Sequence, residues 1–119
     1  MNTRSKGKFY EEAACEYLKK HGVVVLQCNF RCRMGEIDII AREGDCIIFA
    51  EVKYRKNDAH GDALAAVGYA KQKRICSCAM FYCMCHPDII RFRYDVLAIT
   101  DTKIEWIKNA FSHIGYGWQ

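Results

Sequence analysis

Apolar residues recur at helical spacing near the start of the chain. Phe9, Tyr10, Ala13, Ala14, Tyr17 and Leu18 predict a helix over Lys8–His21. Lys19, Lys20 and His21 suit its last turn, and Gly22 suits its C-terminal cap. Glu11, Cys15 and Leu18 follow i, i+4, i+7, which sets Glu11 at the edge of the apolar face, with Glu12, Glu16 and Lys19 on the outer side. The period then shortens to two. Strands are predicted over Val23–Phe30, Glu36–Arg42 and Cys46–Tyr54, with a basic turn over Arg31–Gly35 and a hairpin turn at Glu43-Gly44-Asp45. A charged stretch, Arg55–Gly61, precedes a second helix that Asp62 can cap and that runs to about Cys85, where His86-Pro87 ends it. Ile90–Thr100 reads as a fourth strand and Ile104–Ile107 as a fifth. Asn109-Ala110-Phe111 reads as one helical turn, and 112–119 as a tail that can fray. The order α-β-β-β-α-β-β, with a long helix between the third and fourth strands, implies a crossover and a parallel pair within a mixed sheet of an α/β domain.

Composition narrows the class. A chain of 119 residues forms one domain, spanning 1–119, and 51% hydrophobic with 27% charged residues excludes a disordered tail protein. The longest apolar runs, Val23–Leu26 and Cys46–Ala50, are far short of the roughly 18 residues that span a bilayer. The N-terminal stretch alternates charged with apolar residues and has no secretory h-region, so the expectation is a cytoplasmic protein with no membrane association. A net charge of +4 permits nucleic-acid binding without demanding it. The eight cysteines contain no CxxC pair. Cys76 and Cys83 share one helical face and Cys78 and Cys85 nearly the opposite one, so these four cannot close one tetrahedral zinc site. Without a secretory signal, disulfides are not expected, and the thiols read as small apolar side chains.

The candidate chemistry lies on the second and third strands. Period-two alternation places Glu36 and Asp38 on one face with Ile37 and Ile39 on the other, and Glu51 and Lys53 on one face with Ala50, Val52 and Tyr54 on the other. Ionisable groups in an apolar frame are costly unless paired or used. Asp38 and Glu51 share a face if the hairpin pairs residues with an odd index sum, which a two- or four-residue loop around Gly44 supplies. Two converging carboxylates make a hard oxygen site for Mg²⁺, which favours phosphate partners. Lys53 could then orient or deprotonate a water, or neutralise developing charge. The competing reading is a salt-bridged pair of amphipathic strands with one face in water. Glu36, at the start of its strand, fits that reading better than the other three.

Gly35-Glu36-Ile37-Asp38-Ile39-Ile40-Ala41 followed by Phe49-Ala50-Glu51-Val52-Lys53-Tyr54-Arg55 resembles the YraN-type family of predicted bacterial endonucleases. Also matching are the Glu11 helix with Tyr17-Leu18, Asn29-Phe30-Arg31, Gly61, Lys71-Gln72, Arg93-Tyr94-Asp95-Val96 and Asn109-Ala110-Phe111. The resemblance implies the PD-(D/E)xK restriction-endonuclease-like fold, distantly similar to Holliday junction resolvases, and a metal-dependent nuclease site. Asp38 matches the motif aspartate, with Ile37 in the nominal proline's place, and Glu51 and Lys53 match the (D/E)xK pair. Glu11 matches the first-helix acid, and Lys71 and Gln72 the basic and amide positions of the second long helix. Tyr10 departs from an expected glycine. The implied metal ligands are Asp38, Glu51 and Glu11, with Mg²⁺ or Mn²⁺ as cofactor and DNA as partner.

Arg31, Arg33, Arg42, Arg55 and Lys56 lie at strand ends, where they could hold phosphates or be ordinary solvated charge. Lys71, Lys73 and Arg74 could track a nucleic-acid backbone. His21, His60, His86 and His113 read as surface or cap residues. Asp95 reads as electrostatic support for the sheet, and Trp106, Phe111 and Tyr116 as core or interface anchors. The leading expectation is an endonuclease hydrolysing phosphodiester bonds in DNA, with branched or repair and recombination intermediates as candidate substrates. The alternatives are a nucleic-acid-binding module with little catalysis that acts through a partner, and a structural interaction protein with a basic surface. A homodimer would suit a two-fold junction.

Overall fold

The computed structural model describes residues 3–56 and 67–115, with side chains from residue 7 onward. The elements are α1 (Thr3–Lys20), β1 (Val24–Cys32), β2 (Gly35–Glu43), β3 (Cys46–Tyr54), α2 (Tyr69–Cys85), β4 (Arg91–Ile99) and β5 (Ile104–Phe111). They form one five-stranded sheet in the order β1-β2-β3-β4-β5. Only β3 and β4 are parallel, and α2 is the crossover between them. This is the α/β order expected of the restriction-endonuclease-like fold.

The two helices cover opposite faces of the sheet. Ala14, Cys15 and Leu18 of α1 pack on Ile39, Ala41, Ile48, Ala50, Leu97 and Ile99. Ile75, Cys76, Cys78, Ala79, Tyr82 and Cys83 of α2 pack on Ile37, Ile40, Ile47, Phe49, Tyr94 and Val96. The second core is rich in aromatic edges: Phe49 meets Tyr82 and Tyr94 with ring centroids 5.8 Å apart, and Tyr94 stacks on Phe111 at 5.1 Å. Helix α1 closes as the Lys-Lys-His-Gly run predicts, with Val23 N–H donating to Leu18 O and Gly22 N–H to Lys19 O. His21 and His86 act as caps, each placing Nδ1 within 2.8 Å of the carbonyl four residues back.

The β2–β3 hairpin turns in the two residues Gly44-Asp45, and pairs run from Glu43↔Cys46 to Ile39↔Ala50 with an index sum of 89. Gly44 has φ of 63°, the left-handed first position that a glycine-led two-residue hairpin turn needs. The sum is odd, so the requirement for Asp38 and Glu51 to share a face is met.

Several expectations need correction. The basic turn narrows to Arg33-Met34, because Arg31 and Cys32 continue β1 and pair with Glu36 and Gly35. Asn109-Ala110-Phe111 is not a helical turn. It completes β5, where Asn109, with φ of 52°, sits at a register shift that turns its N–H onto Asp95 Oδ1 at 2.9 Å. Strict alternation along β2 also fails. Ile37 belongs to the α2 core and Ile39 to the α1 core, although they are two apart. The partner strand explains this: Cys28 pairs with Ile39 and Phe30 with Ile37, and between them Asn29 takes φ of 55°, reversing the faces of both strands. The second helix starts at Tyr69 with Gly68 in extended conformation as its N-cap, so the expected start at Asp62, itself outside the described residues, is too early and that residue does not cap it. Within 112–115, His113 Nδ1 is 2.6 Å from the Tyr94 hydroxyl and Ile114 N–H points at Cys76 Sγ at 3.3 Å.

Candidate active site

The site lies at the sheet end where β2 begins and β3 and β4 finish. Pairing between β2 and β3 stops at Ile39↔Ala50, although both strands continue, while β3 stays paired with β4 as far as Tyr54↔Ile99. β2 therefore peels away from β3 and leaves β3 backbone N–H groups without strand partners. Asp38 fills that gap with its side chain: Val52 N–H donates to Asp38 Oδ2 at 2.8 Å. The face reversal at Asn29 is thus tied to a carboxylate wedged between two strands.

Glu51 stands beside it on the α2 face of β3 and is only 6% exposed. Its Oε2 lies 3.4 Å from Lys71 Nζ of α2, whereas its Oε1 is buried with no hydrogen-bond partner. An orphaned buried carboxylate oxygen is uncommon in a native fold and calls for an explanation. Burial, and next the Asp38 charge, push the Glu51 carboxyl up to about 8, with Lys71 acting in the opposite sense. Asp38 is raised as well, chiefly by burial, against the Val52 N–H. Glu11 of α1 is raised by burial and then by the charge of Asp38, against a side-chain hydrogen bond from Asn29. The Asp38 charge thus raises both of its acidic neighbours, Glu51 on β3 and Glu11 on α1.

The remaining predicted residues are placed less uniformly. Lys53 is on the same face of β3 as Glu51, two residues along, and is exposed. Lys71, expected to follow a nucleic-acid backbone, instead reaches the carboxylate pair. Gln72 Nε2 donates to Val67 O at 2.9 Å, and Gln72 N–H donates to Gly68 O, so this residue holds the entrance to α2. Arg31 is spent on Glu36, with Nε to Oε2 at 2.9 Å across the β1–β2 pair, which keeps Glu36 in a solvent-exposed ion pair. Arg33 is exposed in the turn between β1 and β2. Arg55 follows β3, with its N–H donating to Ile99 O at 2.8 Å. Gly35 lets α2 approach this end: a side chain there would meet Arg74 Cβ at 3.4 Å, and φ is 154°.

A divalent cation fits this donor set in a particular way. Glu51 Oε1 is a free hard oxygen next to a second carboxylate, as a Mg²⁺ site with one or two protein carboxylates requires. Among the described residues, no three His, Cys, Asp or Glu side chains stand close enough to cage an ion. Asp38 and Glu51 are the pair brought together, and Glu11 is near enough to feel the Asp38 charge.

Sequence reasoning left two participants without their roles. By sequence Asn29 stands out only within the matching Asn29-Phe30-Arg31 step, yet it reverses the strand and bonds Glu11. An asparagine inside an otherwise β-forming run, a residue tolerant of positive φ, was the available signal. By sequence Lys71 reads as a phosphate contact, because its ion pair with Glu51 depends on how α2 docks, which spacing does not reveal.

The fold is an α/β domain whose mixed sheet carries, where β2 and β3 part, a buried Glu51 beside a half-buried Asp38. The profile of the Uncharacterised protein family UPF0102 matches residues 10–99. The chain is 41% identical over 113 residues to the UPF0102 protein lpg2994 of Legionella pneumophila, with 92% of this chain and 96% of that protein covered. It is 45% identical over 116 residues to a UPF0102 protein of Syntrophus aciditrophicus, with 93% and 91% covered. A UPF0102 protein of Lachnoclostridium phytofermentans is 40% identical over 117 residues, with 97% and 99% covered. The chain belongs to the UPF0102 family, the YraN-type family that its motifs resemble. Among the described residues no helix is long and apolar enough to cross a membrane.

Proposed function

We propose that this protein is a metal-dependent endonuclease that hydrolyses phosphodiester bonds in DNA, with branched or repair and recombination intermediates as its substrates. The observation that carries the proposal is the buried Glu51 carboxylate, with one oxygen unpartnered, beside the half-buried Asp38 where two strands part. Asp38 and Glu51 would hold Mg²⁺ or Mn²⁺. The bound ion would supply charge stabilisation at the phosphate and a more acidic water. Glu51 must lose its proton to serve as a ligand, and Lys71 lowers the cost of that loss. Lys53 would orient the attacking water and neutralise charge developing on the phosphate oxygens. Gln72 fixes the start of α2 and hence Lys71. Glu11 adds negative charge beside Asp38, and Arg33 and Arg55 are cations at this sheet end for flanking phosphates, with Arg31 joining them only on leaving its ion pair with Glu36. A two-fold pair of chains would match a two-fold branched substrate.

A labelled panel of duplex, flap, four-way junction and single-stranded DNA, with RNA as a control, tests this reading. Cutting is expected with Mg²⁺ or Mn²⁺ and not with EDTA, and Asp38→Asn and Lys53→Ala should each lower the rate by about 100-fold or more. If no substrate is cut while DNA binding stays salt-sensitive and unchanged in both variants, the protein is a binding module instead.

A further inference from the structure

Four of the eight cysteines stand in two thiol pairs. Cys15 Sγ of α1 lies 3.3 Å from Cys28 Sγ of β1, and Cys32 Sγ of β1 lies 2.8 Å from Cys78 Sγ of α2. A disulfide joins sulfurs at about 2.05 Å, so each pair needs a shift of roughly 1 Å to bond. Cys28 and Cys32 are four apart, and regular alternation would aim both at one helix. The reversal at Asn29 sends them to opposite faces, one onto each helix. In each pair the β1 thiol is the more accessible: Cys28 is exposed and Cys32 half-buried, whereas Cys15 and Cys78 are buried. Cys15 and Cys28 also line an open groove of about 490 Å³ between α1 and β1, which gives a small oxidant access.

We propose that Cys15–Cys28 and Cys32–Cys78 are reversible dithiol–disulfide sites that a low-molecular-weight disulfide such as glutathione disulfide converts into two intramolecular bridges. The thiolate of Cys28 attacks glutathione disulfide, breaking its S–S bond and releasing one glutathione thiolate. The thiolate of Cys15 then attacks Cys28 Sγ in the mixed disulfide, forming the protein bridge and releasing the second glutathione. The two cysteine protons pass to the two glutathione thiolates. The protein pair is oxidised by two electrons and glutathione disulfide is reduced by two. Cys32 and Cys78 follow the same steps, with Cys32 attacked first. The two bridges tie α1 and α2 to the edge strand on both sides of Asn29-Phe30-Arg31, the stretch that shapes the Asp38 gap. The inference is independent of the nuclease proposal.

The test treats the full chain with glutathione disulfide, blocks remaining thiols with iodoacetamide after denaturation, and maps peptides and intact mass. The expected product is a monomer in which Cys15, Cys28, Cys32 and Cys78 escape alkylation, with both bridges mapped and reversal by dithiothreitol. Cys85, exposed and without a neighbouring thiol among the described residues, is the internal control and takes only a glutathione adduct. Cys28→Ser should lose the first bridge alone and Cys32→Ser the second alone. Oxidation should raise the melting temperature of the wild-type chain by on the order of 10 °C. Stable glutathione adducts at Cys28 and Cys32, or bridges between separate chains, would overturn the proposal.

Discussion

Glu51→Gln is expected to raise the melting temperature of the metal-free protein while lowering metal-dependent cleavage by about 100-fold or more. The substitution keeps the shape of the side chain and removes its charge. It thereby relieves the burial of a carboxylate that has an orphaned oxygen and the Asp38 charge beside it. The stability gain must depend on pH in a defined direction. The folded-state value for Glu51 is about 8 against an ordinary 4.5, so between these values the folded chain carries a proton that the unfolded chain has lost. Wild-type stability therefore falls as pH rises through this window, and the deficit is complete above about 8. Asp38 and Glu11 are raised too and act in the same sense, whereas Glu43, lowered by its hydrogen bond to Arg93, acts oppositely at acidic pH. Thermal melts of both proteins from pH 5 to pH 9 without metal check this. Curves that diverge steadily with rising pH are the expected outcome, and parallel curves would mean that Glu51 is not held protonated.

Asp95→Ala should destabilise the fold by about 3–5 kcal/mol, the range for breaking a buried ion pair from one side. Asp95 is fully buried on β4 and saturated with donors. Arg93 Nε approaches Oδ1 at 2.9 Å, Trp106 Nε1 donates to Oδ2 at 2.9 Å, and Asn109 N–H donates to Oδ1 at 2.9 Å. Arg93 also bonds Glu43 at 2.8 Å, so the network ties β2, β4 and β5 together. Loss of the carboxylate would leave a mostly buried guanidinium short of charge and two N–H groups without an acceptor. Asp95→Asn, which retains one acceptor, should cost less. Urea unfolding of the two variants against wild type measures both values. Equal stability of all three would show that the network does not bear the load assigned to it.

The sheet was legible in the sequence because its strands carry two-residue periodicity and its turns carry recognisable residues. The parity argument for Asp38 and Glu51 could be made before any coordinates because a hairpin's index sum is arithmetic, and Gly44-Asp45 then supplied the odd value. Two features escape a regular two-residue period. Asn29 reversed both strands, so Ile37 and Ile39 part company, and Asn109 allowed β5 to continue where a helical turn was expected. Both residues adopt positive φ, an irregularity that a periodic template smooths over. The Asp95 network was legible only as an acid in an apolar strand. Arg93 lies two residues away on the same strand face, within reach of period-two reasoning, whereas Trp106 and Asn109 come from β5 across a register shift. The ion pair of Lys71 with Glu51 and the two thiol pairs likewise depend on helix docking.

The two-sided core has a consequence for how the molecule opens. Helix α1 shields only the face carrying Ile39 and Ala50, and α2 only the face carrying Ile37 and Phe49. Either helix can therefore detach in a subglobal fluctuation that leaves the opposite core closed. β2 and β3 wall both cores, so they separate only in the most costly openings. Asp38 and Glu51 thus belong to strands shared by both cores, at the end where pairing between those strands has stopped. Glu11 and Lys71, which bias their charge, ride on the parts that exchange first.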